Sequence, residues 1–256
     1  MSDNQSAHFK GKDAIGHVAE AQAHGIISAA EVHGIETPGY LSAGCDAGRE
    51  TAIFLPFLWL LMTFLHIPAA DIVSSLAIFS LGWLFWKLGR SAWLGWFRLE
   101  RLNRVLEEER WEIEHHRQQE RDELGVLYAT KGFEGKLLED VLDVLMADNS
   151  RLLKVMVEEE LGLSLASSEH PLKQGMGAAM GVFLSALVCL AAFFVWPAYG
   201  IFFGSFISIS ISSYLMARFA GNEVIPAIIW NLGLAILSFG CVYFLLDWMS
   251  VLARNV

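Results

Sequence analysis

The strongest constraint on the fold of this chain is a series of apolar stretches that follows Pro171. Three stretches, 175–196, 199–217 and 224–248, each hold ~20 largely apolar residues, the length that a bilayer core requires of a helix. The whole chain is 54% apolar and only 18% charged, which is typical of membrane proteins. One stretch contains the strand-like segment SFISISISSYL. We predict that it is helical, because an isolated strand in lipid would leave its backbone groups unpaired.

Two earlier apolar stretches, 39–66 and 72–97, carry charged residues. Asp46, Arg49 and Glu50 lie in the first half of one, and Lys87 and Arg90 interrupt the other. Both are long enough to span as helices, so the chain is predicted to have five spans. Glycines four residues apart predict close helix–helix packing, and they occur at Gly177 with Gly181 and at Gly200 with Gly204.

Nearly all of the net charge of −10 lies between the second and third predicted spans. Residues 99–170 hold 18 acidic and 9 basic side chains, whereas the rest of the chain holds 10 and 9. Such an insert repels nucleic acid and attracts cations. Basic residues beside the span ends favour a cytosolic N-terminus and a cytosolic insert. The three cysteines are too far apart for a disulfide framework or a Cys-x-x-Cys metal motif.

These patterns predict an all-α fold: a five-span helical membrane protein with a three-helix cytosolic insert between spans two and three. The predicted domains are a cytosolic amphipathic segment at 1–38, spans one and two at 39–98, the insert at 99–170, and spans three to five at 171–256. In the first segment a polar face lies opposite a good apolar face and is interpreted as plain solvated surface. That polar face consists of His17, Glu20, His24 and Glu31.

The insert opens with a dense acidic block, EEERWEIEHHRQQERDEL, at 107–124. The pattern predicts one long helix ending near Thr130, because Lys131-Gly132 is a helix C-terminal signature. On such a helix five side chains fall within an ~80° stripe roughly 21 Å long. The stripe comprises Glu109, Glu112, His116, Glu120 and Glu123.

Two interpretations of this stripe are open. A charged helix face is commonly a solvated surface. Acidic side chains three and four residues apart repel one another, however, and a solvated helix usually mixes its signs. A compensating divalent cation explains the segregation, and a nearby His or Met favours Fe²⁺ or Mn²⁺ over Mg²⁺. Met156 and Glu160 are four residues apart and would face the same way; the alternative for Met156 is a core position.

Three motifs make the insert resemble the cytosolic metal-binding domain of the vacuolar iron transporter (VIT) family. They are the glutamates at 109, 112, 120 and 123, the segment ELGVLYATKG at 123–132, and the segment VMVEEELGL at 155–163. The resemblance implies five spans, a homodimer with a pore between the first spans, and Asp46 as a metal-translocating or proton-coupled carboxylate. Glu50, one turn on, is a second candidate. It also implies six metal ligands, to which the stripe adds His116: Glu109, Glu112, Glu120, Glu123, Met156 and Glu160.

The second span departs from the family pattern. Trp83 stands where the family has a glutamate, and Lys87 lies near the place of a missing methionine. A buried lysine repels a cation unless it is neutralised. These departures favour an alternative in which the chain is a membrane-anchored metal-binding or sensing protein without transport.

The preferred hypothesis is a divalent transition-metal transporter that exports Fe²⁺ or Mn²⁺ from the cytosol, in exchange for protons. Zn²⁺, Co²⁺ and Ni²⁺ are expected to bind as well, and the chain is expected to need no cofactor. An enzymatic reading, a ferroxidase-like site on the insert, is disfavoured because the insert lacks paired Glu-x-x-His motifs. The predicted partners are metal ions, the lipid bilayer and a second copy of the chain, with no nucleic acid.

Overall fold

The computed structural model describes residues 37–160, 169–197 and 199–254. Within these ranges the chain is helical and contains no strand, so the all-α prediction is confirmed for this part. The predicted N-terminal segment, with His17, Glu20, His24 and Glu31, lies outside the described residues. The helices are α1 (Gly39–Phe64), α2 (Ala69–His115), α3 (Arg117–Thr130), α4 (Gly135–Met146), α5 (Asn149–Val155), a π-helical turn (Met156–Glu160), α6 (Pro171–Val195), α7 (Gly200–Phe219) and α8 (Val224–Arg254).

The described helices fall into two compact units. The first, called the membrane unit, comprises 37–97 together with the described residues of 169–254. The second, called the acidic unit, comprises the described residues of 98–160. Helix α2 contributes to both units, because the division falls between Phe97 and Arg98 within it.

Four of the described helices are long and apolar enough to cross a bilayer, namely α2, α6, α7 and α8. The last three contain the apolar stretches that follow Pro171, and the segment SFISISISSYL is helical within α7. Helix α1 has 26 residues, but its first half carries charged side chains and it is not among the four. The fifth span therefore stays a prediction.

Helix α1 packs against α6, α7 and α8 in the membrane unit. Its approach to α6 is so close that a Cβ atom on Gly181 would overlap the carbonyl oxygen of Gly44. A Cβ atom on Gly177 would likewise overlap the carbonyl oxygen of Tyr40. The backbones are thus in direct contact, as small residues four apart permit, and the predicted close packing is confirmed at this pair.

The acidic unit is built around a core of six buried apolar residues from α2, α3, α4, α5 and the π-helical turn. Helix α3 ends as its sequence predicts, with Gly132 in the left-handed region at a φ of 93°. The Gly132 amide donates to the carbonyl of Ala129 (3.0 Å), and the Phe133 amide donates to that of Tyr128 (3.2 Å). The core residues are Ile113, Leu124, Leu127, Leu142, Leu152 and Met156.

The prediction of one continuous helix through the start of the insert to about Thr130 is wrong, although its end at Thr130 is confirmed. The helix that enters the insert begins at Ala69, just before the second apolar stretch, and it ends at His115. His116 has non-helical torsions (φ −125°, ψ 32°), and α3 begins after it. Arg117 donates to Asn149 Oδ1 (2.6 Å) and so ties the start of α3 to the start of α5. No glycine or proline marks this break in the sequence.

Candidate metal site and translocation residues

The acidic block at 107–124 contains both buried and exposed carboxylates. Glu109, Glu120 and Glu123 are only 5%, 2% and 1% exposed. Glu112 and His116 are half-buried. The glutamates of the block that the stripe leaves out are exposed, namely Glu107, Glu108 and Glu114. The stripe therefore separates the acids that the fold buries or half-buries from those that it leaves in water.

The buried carboxylates occupy positions where a helix normally carries apolar core residues. The buried face of α3 consists of Glu120, Glu123, Leu124 and Leu127, which has the spacing of a core-facing stripe. On α2, Glu109 precedes the core residue Ile113 by one turn. Burial of an ionised carboxylate is costly unless hydrogen bonds or a cation compensate it. The acidic unit thus has glutamates at positions where leucine would be enough to form the core.

The arginines of α3 are engaged with other elements of the acidic unit. Arg121 donates to Glu139 Oε2 and to Asp143 Oδ1, both at 2.8 Å. Hydrogen bonds to the Asp143 and Glu139 carboxylates raise the pKa of the Arg121 guanidinium above its usual value. Arg117 is held by Asn149 and by the carbonyl of Met146. Both arginines of α3 therefore attach it to α4 and to the start of α5.

The break at His116 divides the predicted ligands into two pairs. Glu109 and Glu112 lie one turn apart on α2, and Glu120 and Glu123 lie one turn apart on α3. The single stripe along one helix is therefore wrong as geometry. Across the described residues, no group of three or more His, Cys, Asp or Glu side chains is arranged so that it could hold a metal ion. The assignment of these residues as ligands stays a prediction.

Met156 lies in the apolar core of the acidic unit and is 1% exposed. It also begins the π-helical turn, a local irregularity that is frequent at functional sites. In the same turn, Glu158 lies 4.0 Å from Lys154, and Glu159 pairs with Lys131. The backbone of Glu160 completes the turn, and its side chain lies outside the described residues.

Tyr128 lies beside the Lys131–Glu159 ion pair, at the end of α3. The Lys131 ammonium stands 5.1 Å from the centre of the Tyr128 ring. Burial raises the pKa of the Tyr128 hydroxyl, and the Glu159 carboxylate raises it further. The Tyr128 phenol therefore stays neutral at physiological pH. It lies uncharged beside the Lys131–Glu159 ion pair.

In the membrane unit, both predicted translocation carboxylates have basic partners. Asp46 pairs with Arg49 one turn along α1, and the Asp46 side chain is 56% exposed. Glu50 accepts a hydrogen bond from the Lys87 ammonium of α2 at 2.5 Å. The exposed fraction of the Lys87 side chain is 6%, against 44% for Glu50. Asp46 and Glu50 thus follow one another along α1, each next to a fixed positive charge.

The two departures from the family pattern lie at this same place. The Trp83 indole N–H donates to the Thr51 hydroxyl at 3.2 Å, and the Lys87 ammonium stands 5.6 Å from the centre of the Trp83 ring. Sequence reasoning identified Lys87 as a charge that must be neutralised but did not find Glu50 as its partner. The helix lengths could have indicated this partner. Measured along the helices from the short α1–α2 connection, Glu50 is roughly 21 Å away and Lys87 roughly 27 Å away, so the two side chains can meet if the helices fold back on each other.

Comparison with known proteins decides the family. The family model described as the VIT family matches residues 97–246, more than half of the chain. The chain belongs to the VIT family. A vacuolar iron transporter of Acanthamoeba castellanii is 32% identical over 125 residues, or 47% of this chain and 47% of the relative. The chain thus matches about half the length of this curated relative. The VIT match covers the acidic unit, α6, α7 and most of α8 but leaves out α1 and Lys87.

Proposed function

We propose that this VIT-family chain is a divalent transition-metal transporter that moves Fe²⁺ or Mn²⁺ out of the cytosol in exchange for protons. The observation that carries the proposal is the burial of Glu109, Glu120 and Glu123 at core positions within the segment that matches the family. Buried carboxylates are stabilised by a cation, and a divalent ion that binds deprotonated glutamates supplies one. The acidic unit collects the metal ion on the cytosolic side.

The ligand types suit the softer divalent ions. Four glutamates offer carboxylate oxygens, and Met156, at the start of the π-helical turn, offers a polarizable thioether. The four are Glu109, Glu112, Glu120 and Glu123. Carboxylates alone would suit Mg²⁺ or Ca²⁺, whereas added sulfur or imidazole shifts preference toward first-row transition metals. Zn²⁺, Co²⁺ and Ni²⁺ are expected to compete with Fe²⁺ and Mn²⁺ for the same ligands, with His116 and Glu160 as further donors.

Asp46 and Glu50 are the proposed translocation carboxylates. Protonation of a carboxylate in the membrane releases a bound cation, which gives metal–proton exchange a physical basis. Asp46 is exposed on α1, and so are Phe54 (40%) and Leu61 (43%). We propose that a second copy of the chain covers this face, so that the path lies between the two α1 helices.

The test is Mn²⁺ movement in proteoliposomes containing the full chain, with an acidic lumen on the receiving side. We expect Mn²⁺ influx that collapses when the pH gradient is removed and that Asp46→Ala abolishes. Glu114→Ala, at an exposed glutamate of the acidic block, is the matched control and should keep the wild-type rate. Absence of both Fe²⁺ and Mn²⁺ flux, with and without the gradient, would rule out transport.

A second candidate function is a membrane-anchored metal-binding or sensing protein. The observation that favours it is the basic partner beside each α1 carboxylate, Arg49 for Asp46 and Lys87 for Glu50. This candidate requires tight Mn²⁺ binding without flux in the same vesicles, and an Asp46→Ala variant that binds Mn²⁺ as the wild type does. Flux that depends on Asp46 excludes it.

A further inference from the structure

The Lys87–Glu50 ion pair joins the two α-helices at the start of the membrane unit. The Lys87 side chain is 6% exposed, and its ammonium is 2.5 Å from Glu50 Oε2. An ammonium this deeply buried is retained only if a partner compensates its desolvation. Glu50, being 44% exposed, would keep its own solvation without Lys87. Loss of the Glu50 carboxylate should therefore destabilise the protein more than loss of the Lys87 ammonium does.

The surroundings of Lys87 fix its ammonium at this carboxylate. The face of Trp83, one turn before it on α2, lies 5.6 Å from the Lys87 ammonium, and a cation is attracted to such a ring. Trp83 is in turn anchored by its N–H to the Thr51 hydroxyl (3.2 Å) and by a ring contact with Phe54 (4.9 Å). The position of the ammonium is thus fixed by two groups. Its carboxylate, Glu50, lies on α1, and its aromatic partner, Trp83 of α2, is anchored to Thr51 and Phe54 of α1.

We propose that Lys87 is a tethered competitor of the transported cation, so that its ammonium occupies the carboxylate of Glu50 until a divalent ion displaces it. This inference rests on the proposed function, because it assigns Lys87 a regulatory role at the proposed translocation carboxylates. The apparent affinity of a site falls in proportion to the fraction of molecules in which the site is available. A lysine that closes the site most of the time therefore raises the KM for metal.

Competition with Lys87 also favours cations of higher charge. A monovalent cation brings no more charge to Glu50 than Lys87 already provides, and it must displace a group that is covalently tethered beside the carboxylate. A divalent ion gains about twice the Coulomb attraction at the same distance. Asp46, one turn along α1 from Glu50, adds a further carboxylate that a divalent ion can neutralise. Lys87 thus favours divalent over monovalent ions without being a ligand.

The first experiment tests the competition directly and does not depend on flux. The full chain in lipid nanodiscs is treated with a membrane-permeant carbodiimide, which activates the Glu50 carboxyl. The Lys87 amine, after losing its proton, displaces the urea and forms an amide that peptide mass spectrometry detects. We expect this link in the wild type and not in Glu50→Gln, and we expect millimolar Mn²⁺ to suppress it while K⁺ at the same ionic strength does not. A Glu50–Lys87 link that Mn²⁺ leaves unchanged would overturn the proposal.

The second experiment measures Mn²⁺ flux in proteoliposomes. Lys87→Met removes the charge and keeps the length of the side chain, and we expect its KM for Mn²⁺ to fall by about tenfold. Lys87→Arg, which keeps the charge, should retain the wild-type KM, and the Glu50→Gln/Lys87→Met double variant should lose the gain. A KM in Lys87→Met equal to or above that of the wild type would overturn the proposal. If the wild type shows no flux, the proposed transport function fails, whereas the cross-linking result still decides the role of Lys87.

Discussion

The two units of the molecule treat their carboxylates in opposite ways. In the acidic unit, Glu109, Glu120 and Glu123 are buried at core positions, and the arginines of α3 are bound elsewhere. In the membrane unit, the carboxylates of α1 stay partly exposed, and each contacts a basic side chain. One unit thus withdraws glutamates from water, whereas the other keeps its carboxylates partly exposed beside basic side chains.

If both units bind the metal ion, as we propose, this difference predicts unequal affinities. A buried carboxylate gains more from a nearby cation than a solvated carboxylate does, because burial makes its charge costly. A carboxylate that already has an ammonium partner gains less, so a metal ion binds it weakly and leaves it readily. Under the proposed function, the acidic unit would bind the metal ion strongly, and the carboxylates of α1 would bind it weakly and release it.

The largest expected effect concerns the asymmetry of the Lys87–Glu50 pair. Glu50→Gln leaves a buried ammonium without its carboxylate and should destabilise the protein by about 3 kcal/mol. Lys87→Met leaves only a half-exposed carboxylate and should cost clearly less. Thermal unfolding in detergent, followed by tryptophan fluorescence, measures both. Equal losses in the two variants would show that the lysine is not the dependent partner.

Next in size is the loss of metal affinity when a buried or half-buried glutamate of the stripe is removed. Glu120→Ala and Glu112→Ala should each weaken Mn²⁺ binding by on the order of a hundredfold, since even groups that only support a ligand contribute 10–100-fold. Glu114→Ala should leave the affinity unchanged, because that side chain is exposed. Calorimetric titration of the full chain in detergent provides the measurement. An equal loss for all three variants would reduce the acidic block to a diffuse electrostatic surface.

A smaller effect is expected at the contact that holds α1, and hence Asp46 and Glu50, against α6. Gly181→Ala forces a methyl group onto the carbonyl oxygen of Gly44 and should cost roughly 1–3 kcal/mol, as overpacking does. Gly240→Ala is the control, because a Cβ atom there meets nothing within 4 Å. The thermal unfolding temperature should fall in Gly181→Ala and stay level or rise slightly in Gly240→Ala. A Gly181→Ala variant as stable as the control would mean that the helices can separate freely.

The smallest expected effect is a local pH dependence in the acidic unit, away from the glutamates. Asp148 caps α5 by accepting from the amides of Ser150 (2.8 Å) and Arg151 (2.9 Å). The Arg151 and Ser150 amides lower the pKa of the Asp148 carboxyl below its ordinary 3.8. The cap is therefore at full strength above about pH 4 and weakens as the pH falls through the depressed pKa.

Hydrogen exchange at the Ser150 and Arg151 amides checks this assignment. Protection of these amides should fall on acidification in the wild type, after correction for the intrinsic pH dependence of exchange. It should stay level in Asp148→Asn, because the amide oxygen caps a helix without titrating. Identical acid responses in the two proteins would assign the change to another group.

Local signals in the sequence predicted much of the fold. The apolar stretches give α6, α7 and α8, and Lys131-Gly132 gives the end of α3. The break at His116 could not be predicted in this way. It coincides with a contact between Arg117 and Asn149, two residues that are 32 positions apart in the sequence. Helical periodicity assumes a continuous axis, so it grouped the glutamates that the fold buries or half-buries but not their division between two helices.

The candidate site shows the same limit. Periodicity separated the buried glutamates from Glu107, Glu108 and Glu114, because burial follows the face of a helix. It could not supply the partner of Lys87, since pairing between α1 and α2 depends on how two helices align. That alignment could have been inferred from the short α1–α2 connection, which sets Glu50 and Lys87 at comparable heights along antiparallel helices.

The Lys87–Glu50 pair also bears on how the chain enters the membrane. Helix α1 alone carries Asp46, Arg49 and Glu50 and falls short of the apolar character of the other candidate spans, so its insertion as a lone segment is costly. The connection to α2 is only a few residues long. We therefore expect α1 to depend on α2 during biogenesis, with the two helices inserting as a hairpin in which the lysine synthesised last neutralises the glutamate synthesised first.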